Sequence, residues 1–223
     1  MTDQSVRYLR FDVDNPYVSR AKSYSAFRIS FRDKDYLGYI GEFLDILDSY
    51  GQKGTFFFRP RYTLPTRALA ESILAKGHEI GHHVDKTRDI DKMRQEKMIL
   101  ERVAGQVAGI TIHGRGIPFL SPSGDGYHQQ YLSYCIELGY IYEGTGLRDD
   151  LEKLEELTIL PKHTTLDRHL MANVPNLIIL VHPCRVFRNR MIRGLFDEIL
   201  TRYRFLPLKA AVEHEPRMRC GLE

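Results

Sequence analysis

The stretch Gly77-His78-Glu79-Ile80-Gly81-His82-His83-Val84-Asp85 sets three histidines and two carboxylates within eight residues. Imidazole and carboxylate at that density suit a divalent metal or an acid–base pair. Two readings compete. Taken literally, His78-Glu79-Ile80-Gly81-His82 is the H-E-x-x-H of zinc peptidases, with both imidazoles on one face of a helix and Glu79 as base. Alternatively, the stretch is a short strand that delivers His83 to a metal at its C-terminal end. Residues of the same chemistry recur along the chain. Asp12 and Asp14 lie in Phe11-Asp12-Val13-Asp14-Asn15-Pro16, His113 follows Gly109-Ile110-Thr111-Ile112, and His182 lies in Leu180-Val181-His182-Pro183. Residues two apart on a strand face the same way, so Asp12 and Asp14 would sit side by side. Asp14, before Asn15-Pro16, also suits a solvated turn with Asx capping. Asp12, between Phe11 and Val13, does not, because a carboxylate in an apolar strand needs a partner or a task.

Positioning these groups falls to the elements around them. Val6 to Val13 reads as a buried strand, stopped by Pro16. Asp35 to Tyr50 reads as an amphipathic helix, with Leu37, Ile40, Phe43, Leu44 and Leu47 at helical spacing and Gly51 closing it. Gly54-Thr55-Phe56-Phe57-Phe58 is a continuous apolar run of the kind covered on both faces in a parallel sheet. Thr66 to Lys76 is a second helix, between Pro65 and Gly77. A third strand follows over His78 to Gly81, a third helix over Lys92 to Val107, and a fourth strand over Gly109 to His113. A loop rich in Gly, Pro and Ser runs to Gly126. Tyr127 to Leu138 is helical, and Tyr140 to Tyr142 is a short strand before Gly144-Thr145-Gly146. Asp149-Asp150 and Glu152 to Glu156 suit the cap and exposed face of a surface helix. Leu157 to Leu160 is a further apolar piece, Asn176 to Pro183 is the clearest buried strand, and a last helix runs from Arg190 to Tyr203. The alternation predicts parallel strands with helices outside them, in a single barrel-like α/β domain over residues 1–223.

In parallel α/β architectures the working residues gather at the C-terminal ends of the strands. Asp12 and Asp14, His82 and His83, His113, and His182 all fall at such ends, and together they describe a metal site with an acid and a base. The peptidase reading fares worse. Gly77 and Gly81 would each cost roughly 1 kcal/mol inside a helix, and the preceding helix has already ended. A distant Glu96 or Glu101 could complete a peptidase site, but Asp12, Asp14 and His182 would then have no role.

The totals bound the partners. With 32 basic and 29 acidic residues and a net charge of +3, the chain is too balanced to argue for nucleic acid as its main partner. The apolar share is 43%, yet no run approaches the roughly 18 residues of a membrane span. Met1-Thr2-Asp3-Gln4-Ser5 has neither the basic nor the apolar region of a signal peptide. Three cysteines, Cys135, Cys184 and Cys220, without C-x-x-C spacing, fit a reduced, cytoplasmic protein.

Four segments in order, Phe11-Asp12-Val13-Asp14, Thr55-Phe56-Phe57-Phe58, Gly77-His78-Glu79-Ile80-Gly81-x-His83 and Leu180-Val181-His182-Pro183, resemble the polysaccharide deacetylase family, the NodB-type carbohydrate esterases. Thr111-Ile112-His113-Gly114, Gly144 to Asp150 and Val181 to Arg185 look like a divergent branch of it. The resemblance implies a distorted (β/α) barrel of about seven parallel strands with outer helices, and a metal-dependent hydrolase that removes an acetyl group from an N-acetylated sugar. It implies a divalent metal, zinc by analogy, and a carbohydrate substrate, nucleotide- and lipid-linked forms included. Residue by residue, Asp12 matches the catalytic base, Asp14 a metal ligand, His83 the first metal histidine and His182 the general acid. The chain departs from the pattern at His83-Val84-Asp85-Lys86-Thr87, where Thr87 takes the place of the second motif histidine. His113, His82 and Asp85 are candidates for the missing ligand. His82, adjacent to His83, points to the opposite face of a strand, so His113 is preferred. The family's Arg-Pro-Pro motif is replaced by His113-Gly114-Arg115-Gly116-Ile117-Pro118, from which Arg115 could still reach an active-site carboxylate. The second function class is a catalytically weakened member that binds carbohydrate without hydrolysis, motivated by Thr87.

Three further features suggest other roles. Cys184, two residues after His182, invites a thiol nucleophile, against the plainer reading of a buried thiol. Arg185, Arg188, Arg190 and Arg193 form either a solvated helix start or a site for a phosphate on a linked sugar. Arg59, just past a strand end, could touch substrate.

Overall fold

The computed structural model describes residues 6–29, 32–85, 87–113, 124–166 and 177–213. In chain order the elements are β1 (Val6–Val13), α1 (Arg20–Ile29), α2 (Gly38–Ser49), β2 (Thr55–Phe58), α3 (Arg67–Ala75), β3 (Glu79–Val84), α4 (Ile90–Ala104), β4 (Gly109–Ile112), α5 (Gly124–Glu137), β5 (Tyr142–Arg148), β6 (Glu152–Leu154), β7 (Leu157–Pro161), β8 (Thr164–Thr165) and β9 (Ile178–Val181). After these come α6 (Pro183–Arg188), α7 (Arg190–Arg202), β10 (Arg204–Leu206) and α8 (Leu208–Glu213).

The strands form one sheet in the order β6-β7-β5-β4-β3-β2-β1-β9-β8, with β10 also paired to β1. Every pairing is parallel except β6 with β7. The sheet curls into a half-barrel with helices outside it, which is the expected distorted (β/α) barrel. Strand alternation divides the side chains into two layers. Leu9, Phe11 and Val13 of β1, Phe56 and Phe58 of β2, and Ile110 of β4 join the core beneath the helices. Phe11, Phe43, Phe56 and Phe196 pack edge-on and stacked at its centre, with neighbouring centroids 4.6–5.1 Å apart. The other face lines the barrel, where Tyr8, Phe57, Tyr142, Ile178, Leu208 and Ala211 fill the lower part. The interior leaves no room for side chains at Gly81 and Gly109: a Cβ would come within 2.3 Å of the Phe57 ring and 2.1 Å of the Tyr142 ring.

Local chemistry sets the helix starts. The Thr66 and Asp89 side chains accept from Leu69 N and Lys92 N, and Asn189 accepts from Met191 N and Ile192 N. Among the described residues, no helix is long and apolar enough to cross a membrane.

Several expectations need correcting. The third strand does not stop at Gly81 but runs through His82 and His83 to Val84. Gly144-Thr145-Gly146 lies inside β5, where Gly146 has φ +84° and the register shifts. Glu152 to Glu156 belongs to the β6–β7 hairpin, turning at Glu155 with φ +53°, and not to a surface helix. Helix α1 was not expected. Arg115, most of the Gly/Pro/Ser loop, Asn176 and Cys220 lie outside the described residues.

Candidate metal centre and active site

The H-E-x-x-H reading fails on secondary structure. Glu79 to Val84 is a strand, so His78 and His82 do not share a helical face. Gly54 N donates to His78 Nδ1 at 3.2 Å, and burial lowers the His78 pKa to about 4. His82 is fully buried on the helix side, against Glu96 Oε2 at 3.2 Å and Tyr140 Oη at 2.7 Å.

The barrel-facing row of β1 carries Arg10 and Asp12, and Asp14 follows just beyond its end. Asp12 is buried and held by two bonds from Arg10, Nε to Oδ1 at 2.8 Å and Nη2 to Oδ2 at 2.7 Å. Burial alone would raise the Asp12 pKa, but the Arg10 guanidinium and His83 outweigh it and hold the carboxyl below its usual range. Arg10 is itself fixed by donating from Nη1 to Gly144 O at 2.7 Å, with His163 Nδ1 3.3 Å away.

Asp14 gathers the histidines. Its Oδ1 lies 3.2 Å from His83 Nε2 and 3.7 Å from His113 Nε2, and its Oδ2 lies 3.2 Å from His182 Nε2. Burial raises its pKa, yet His182 and His83 hold it well below the ordinary value. The ligand atoms of Asp14, His83 and His113 fall within 4.8 Å of one another. Asp14 Oδ1 is buried and accepts no well-directed hydrogen bond, although two imidazole nitrogens face it. A buried acceptor left open between imidazoles is what a cation would satisfy, so these residues fit a divalent metal.

The surrounding groups orient these ligands. His83 Nδ1 pairs with Thr111 Oγ1 at 2.8 Å, and His113 Nδ1 lies 3.2 Å from Asp85 Oδ1. Each partner leaves Nε2 turned towards Asp14, the usual outer-shell device at metal sites. Asp85 is bound in turn by Arg59, Nη2 to Oδ1 at 2.8 Å and Nε to Oδ1 at 3.1 Å. Its pKa, which burial would raise, is lowered by His113 and Arg59.

The structure thus brings together Asp12, Asp14, His83, His113 and His182. Thr87 is buried, and His113 from the end of β4 brings a second imidazole within 4.8 Å of the His83 and Asp14 donor atoms. Arg59 is engaged with Asp85 and so is placed to hold a ligand partner, not to reach out to substrate. Arg185 is exposed and lines a groove beside Asp14 and His182. Arg115 lies outside the described residues, and Arg10 holds Asp12. The sequence reading missed Arg10, although Arg10-x-Asp12-x-Asp14 has the period-two spacing that exposed the aspartates. Cys184 is buried, its Sγ accepts from Asn15 Nδ2 at 3.4 Å, and burial raises its pKa. A thiol so disposed is a poor nucleophile.

Comparisons with known proteins bear on the fold and the family. No curated protein sequence matches the chain. A Mycobacterium smegmatis structure classed as a polysaccharide deacetylase superposes with a TM-score of 0.63 at 18% identity, covering 98% of this chain and 93% of that one. BA3943 of Bacillus anthracis, a CE4 family pseudoenzyme, gives a TM-score of 0.54 at 16% identity over 95% of this chain and 66% of that one. A PuuE allantoinase gives 0.63 at 12% identity, over 94% and 89% of the two chains. At such identities these likenesses establish the fold. The family profile described as "Polysaccharide deacetylase" matches residues 28–142, just over half of the sequence, and the chain belongs to the polysaccharide deacetylase family.

Proposed function

We propose that the protein is a metal-dependent hydrolase that removes the acetyl group from an N-acetylated sugar, whether free, polymeric or joined to a nucleotide or lipid carrier. The observation that carries this reading is the convergence of Asp14, His83 and His113, with Asp12 Oδ2 3.6 Å from His83 Nε2 and His182 Nε2 3.2 Å from Asp14. Asp14, His83 and His113 would hold a divalent ion, and their imidazole and carboxylate donors suit zinc. When bound, such an ion polarises an amide carbonyl and acidifies water. Asp12, kept ionised by Arg10, accepts the proton of the attacking water. His182 delivers a proton to the departing nitrogen, so the products are acetate and the free amino sugar. Arg10 and Arg59 act through Asp12 and Asp85.

The competing reading, carbohydrate binding without turnover, was motivated by Thr87. It loses force because His113 stands where a third ligand is needed. Metal content and acetate release from N-acetylated sugars decide between the two. The hydrolase is expected to carry about one metal per chain and to release acetate. A protein that stays metal-free and inactive after zinc or cobalt is added would refute it.

A further inference from the structure

Beside Asp14 and His182 the surface opens into a groove of about 1500 Å³. Four arginines from three helices line it: Arg20 at the start of α1, Arg185 and Arg188 on α6, and Arg190 at the start of α7. Asp14 is the one carboxylate among the described lining residues, and it is already faced by His83 and His182. Arg20, Arg185 and Arg190 are exposed. Arg188 donates to the backbone carbonyls of Tyr17 and Val18, which leaves its charge unbalanced. Among the described residues none of the four has an ion-paired carboxylate, unlike Lys22, Lys76, Arg94, Arg148 and Arg193, each with one within 3.1 Å. Exposed Arg28, Arg61 and Arg67 also lack one, but they lie singly, so what sets the groove apart is the convergence of its arginines. A solvated helix start would explain one unmatched arginine. It does not explain three helices bringing four of them to a groove that runs into the metal centre.

Sugar chemistry says what such a groove would meet. In a 2-acetamido sugar, the carbon bearing the acetamide adjoins the anomeric carbon. With the acetamide at Asp14, His83 and His113, a group on the anomeric oxygen lies one ring bond further on, and the groove that adjoins Asp14 and His182 is where it would be received. Guanidinium groups bind phosphate through paired N–H···O bonds. We propose that the groove binds the anomeric phosphate of a sugar 1-phosphate or diphosphate ester, so that the substrate is an anionic, carrier-linked 2-acetamido sugar and not a neutral polymer. The placement of the sugar rests on the deacetylase reading; the anion site does not.

Calorimetry on the full chain, with and without added zinc, tests this with glucose 1-phosphate against glucose, a pair that lacks the acetamide and differs in the anomeric charge. Glucose 1-phosphate is expected to bind at least about tenfold more tightly, and more weakly as salt rises. R185Q and R190Q should each lose about tenfold in that affinity, R185K should keep part of it, and circular dichroism with thermal unfolding reports that each variant is folded. UMP and geranyl phosphate, competed against glucose 1-phosphate, identify the carrier as nucleotide or lipid. Glucose 1-phosphate binding no better than glucose, or as well to the R185Q/R190Q double variant as to the wild type, overturns the proposal. Because binding is read without turnover, a protein that takes glucose 1-phosphate but releases no acetate refutes deacetylation alone. One that releases acetate but ignores the phosphate refutes the anion site alone.

Discussion

Asp12 and Asp14 lie two residues apart on one strand line, and their surroundings treat them oppositely. Arg10 occupies both oxygens of Asp12, whereas Asp14 Oδ1 stays open between His83 and His113. Asp14→Ala should therefore abolish metal uptake. Asp12→Asn should keep the metal and lose at least about a hundredfold in kcat. Elemental analysis beside acetate release reads both, and full activity in both variants would show that the site lies elsewhere. Arg10→Met tests the other partner. Burial is already the largest single influence on Asp12, and without the guanidinium only His83 opposes it, so its pKa rises and the acid limb of kcat/KM against pH moves to higher pH. The stability sign follows. A depressed folded pKa stabilises above the unfolded carboxylate value of about 3.9, and that contribution fades as pH falls through the folded value. The variant should be less stable at neutral pH by about 3–5 kcal/mol, measured by denaturant unfolding. The period-two spacing of Asp12 and Asp14, and the strand-end positions of His83, His113 and His182, made the reactive groups legible in the sequence. Arg10 escaped because a basic residue in an apolar strand does not announce which carboxylate it serves. The roles of Thr111 and Asp85 depend on neighbours brought together only by the parallel register of β3 with β4.

At the scale of elements, β3 decides between the helical H-E-x-x-H reading and a strand that ends at His83 and Val84, and Gly81 is where that decision can be tested. As a strand residue, Gly81 faces the barrel interior opposite Phe57, and an added Cβ would lie 2.3 Å from its ring. Gly81→Ala should destabilise by about 1–3 kcal/mol through overpacking, and Phe57→Leu in the same chain should recover part of the loss. Were β3 a helix, the alanine would stabilise it. A thermal-unfolding midpoint that rises in Gly81→Ala would therefore overturn the assignment. Elements with clear apolar periods were legible: β1 and the interiors of α2, α3, α4 and α7 lie where the spacing puts them, with ends moved by a few residues. The failures share a physical cause. In α1 only Ser23 and Ala26 are buried, so it has almost no apolar stripe to read. In β5 the strand pattern reads as ending at Tyr142, before the glycines, although pairing with β4 and β7 carries the strand on to Arg148. In the β6–β7 hairpin Glu152, Lys153 and Leu154 are all exposed, which leaves helix face and edge strand indistinguishable by pattern.

Over the whole molecule, the fold also buries carboxyls away from the candidate metal site, at Glu79 and Glu143, and burial raises the pKa of both. Glu143 is the clearest case. It lies on the outer face of β5, fully buried, with Oε1 accepting from Thr145 N at 2.8 Å and Oε2 without a partner. Burial pushes its pKa up to about 7, against the smaller opposing pull of Thr145 and Arg10. A carboxyl with a raised folded pKa binds more protons folded than unfolded between its two values, so its effect is destabilising as pH rises through that window. At about 1.4 kcal/mol per pKa unit, ionising this group costs the fold on the order of 3 kcal/mol between pH 5 and pH 8. His78 and His163, whose pKa values burial lowers to about 4, act the other way, since they must be neutral when folded and add stability as pH rises towards neutrality. Comparing the wild type with Glu143→Gln at both pH values cancels the histidines. Glutamine keeps an acceptor for Thr145 N and never ionises. The variant should gain on the wild type by on the order of 3 kcal/mol between pH 5 and pH 8, measured by urea denaturation. An equal difference at the two pH values would mean that Glu143 does not titrate between them in the folded protein, contrary to a pKa of about 7.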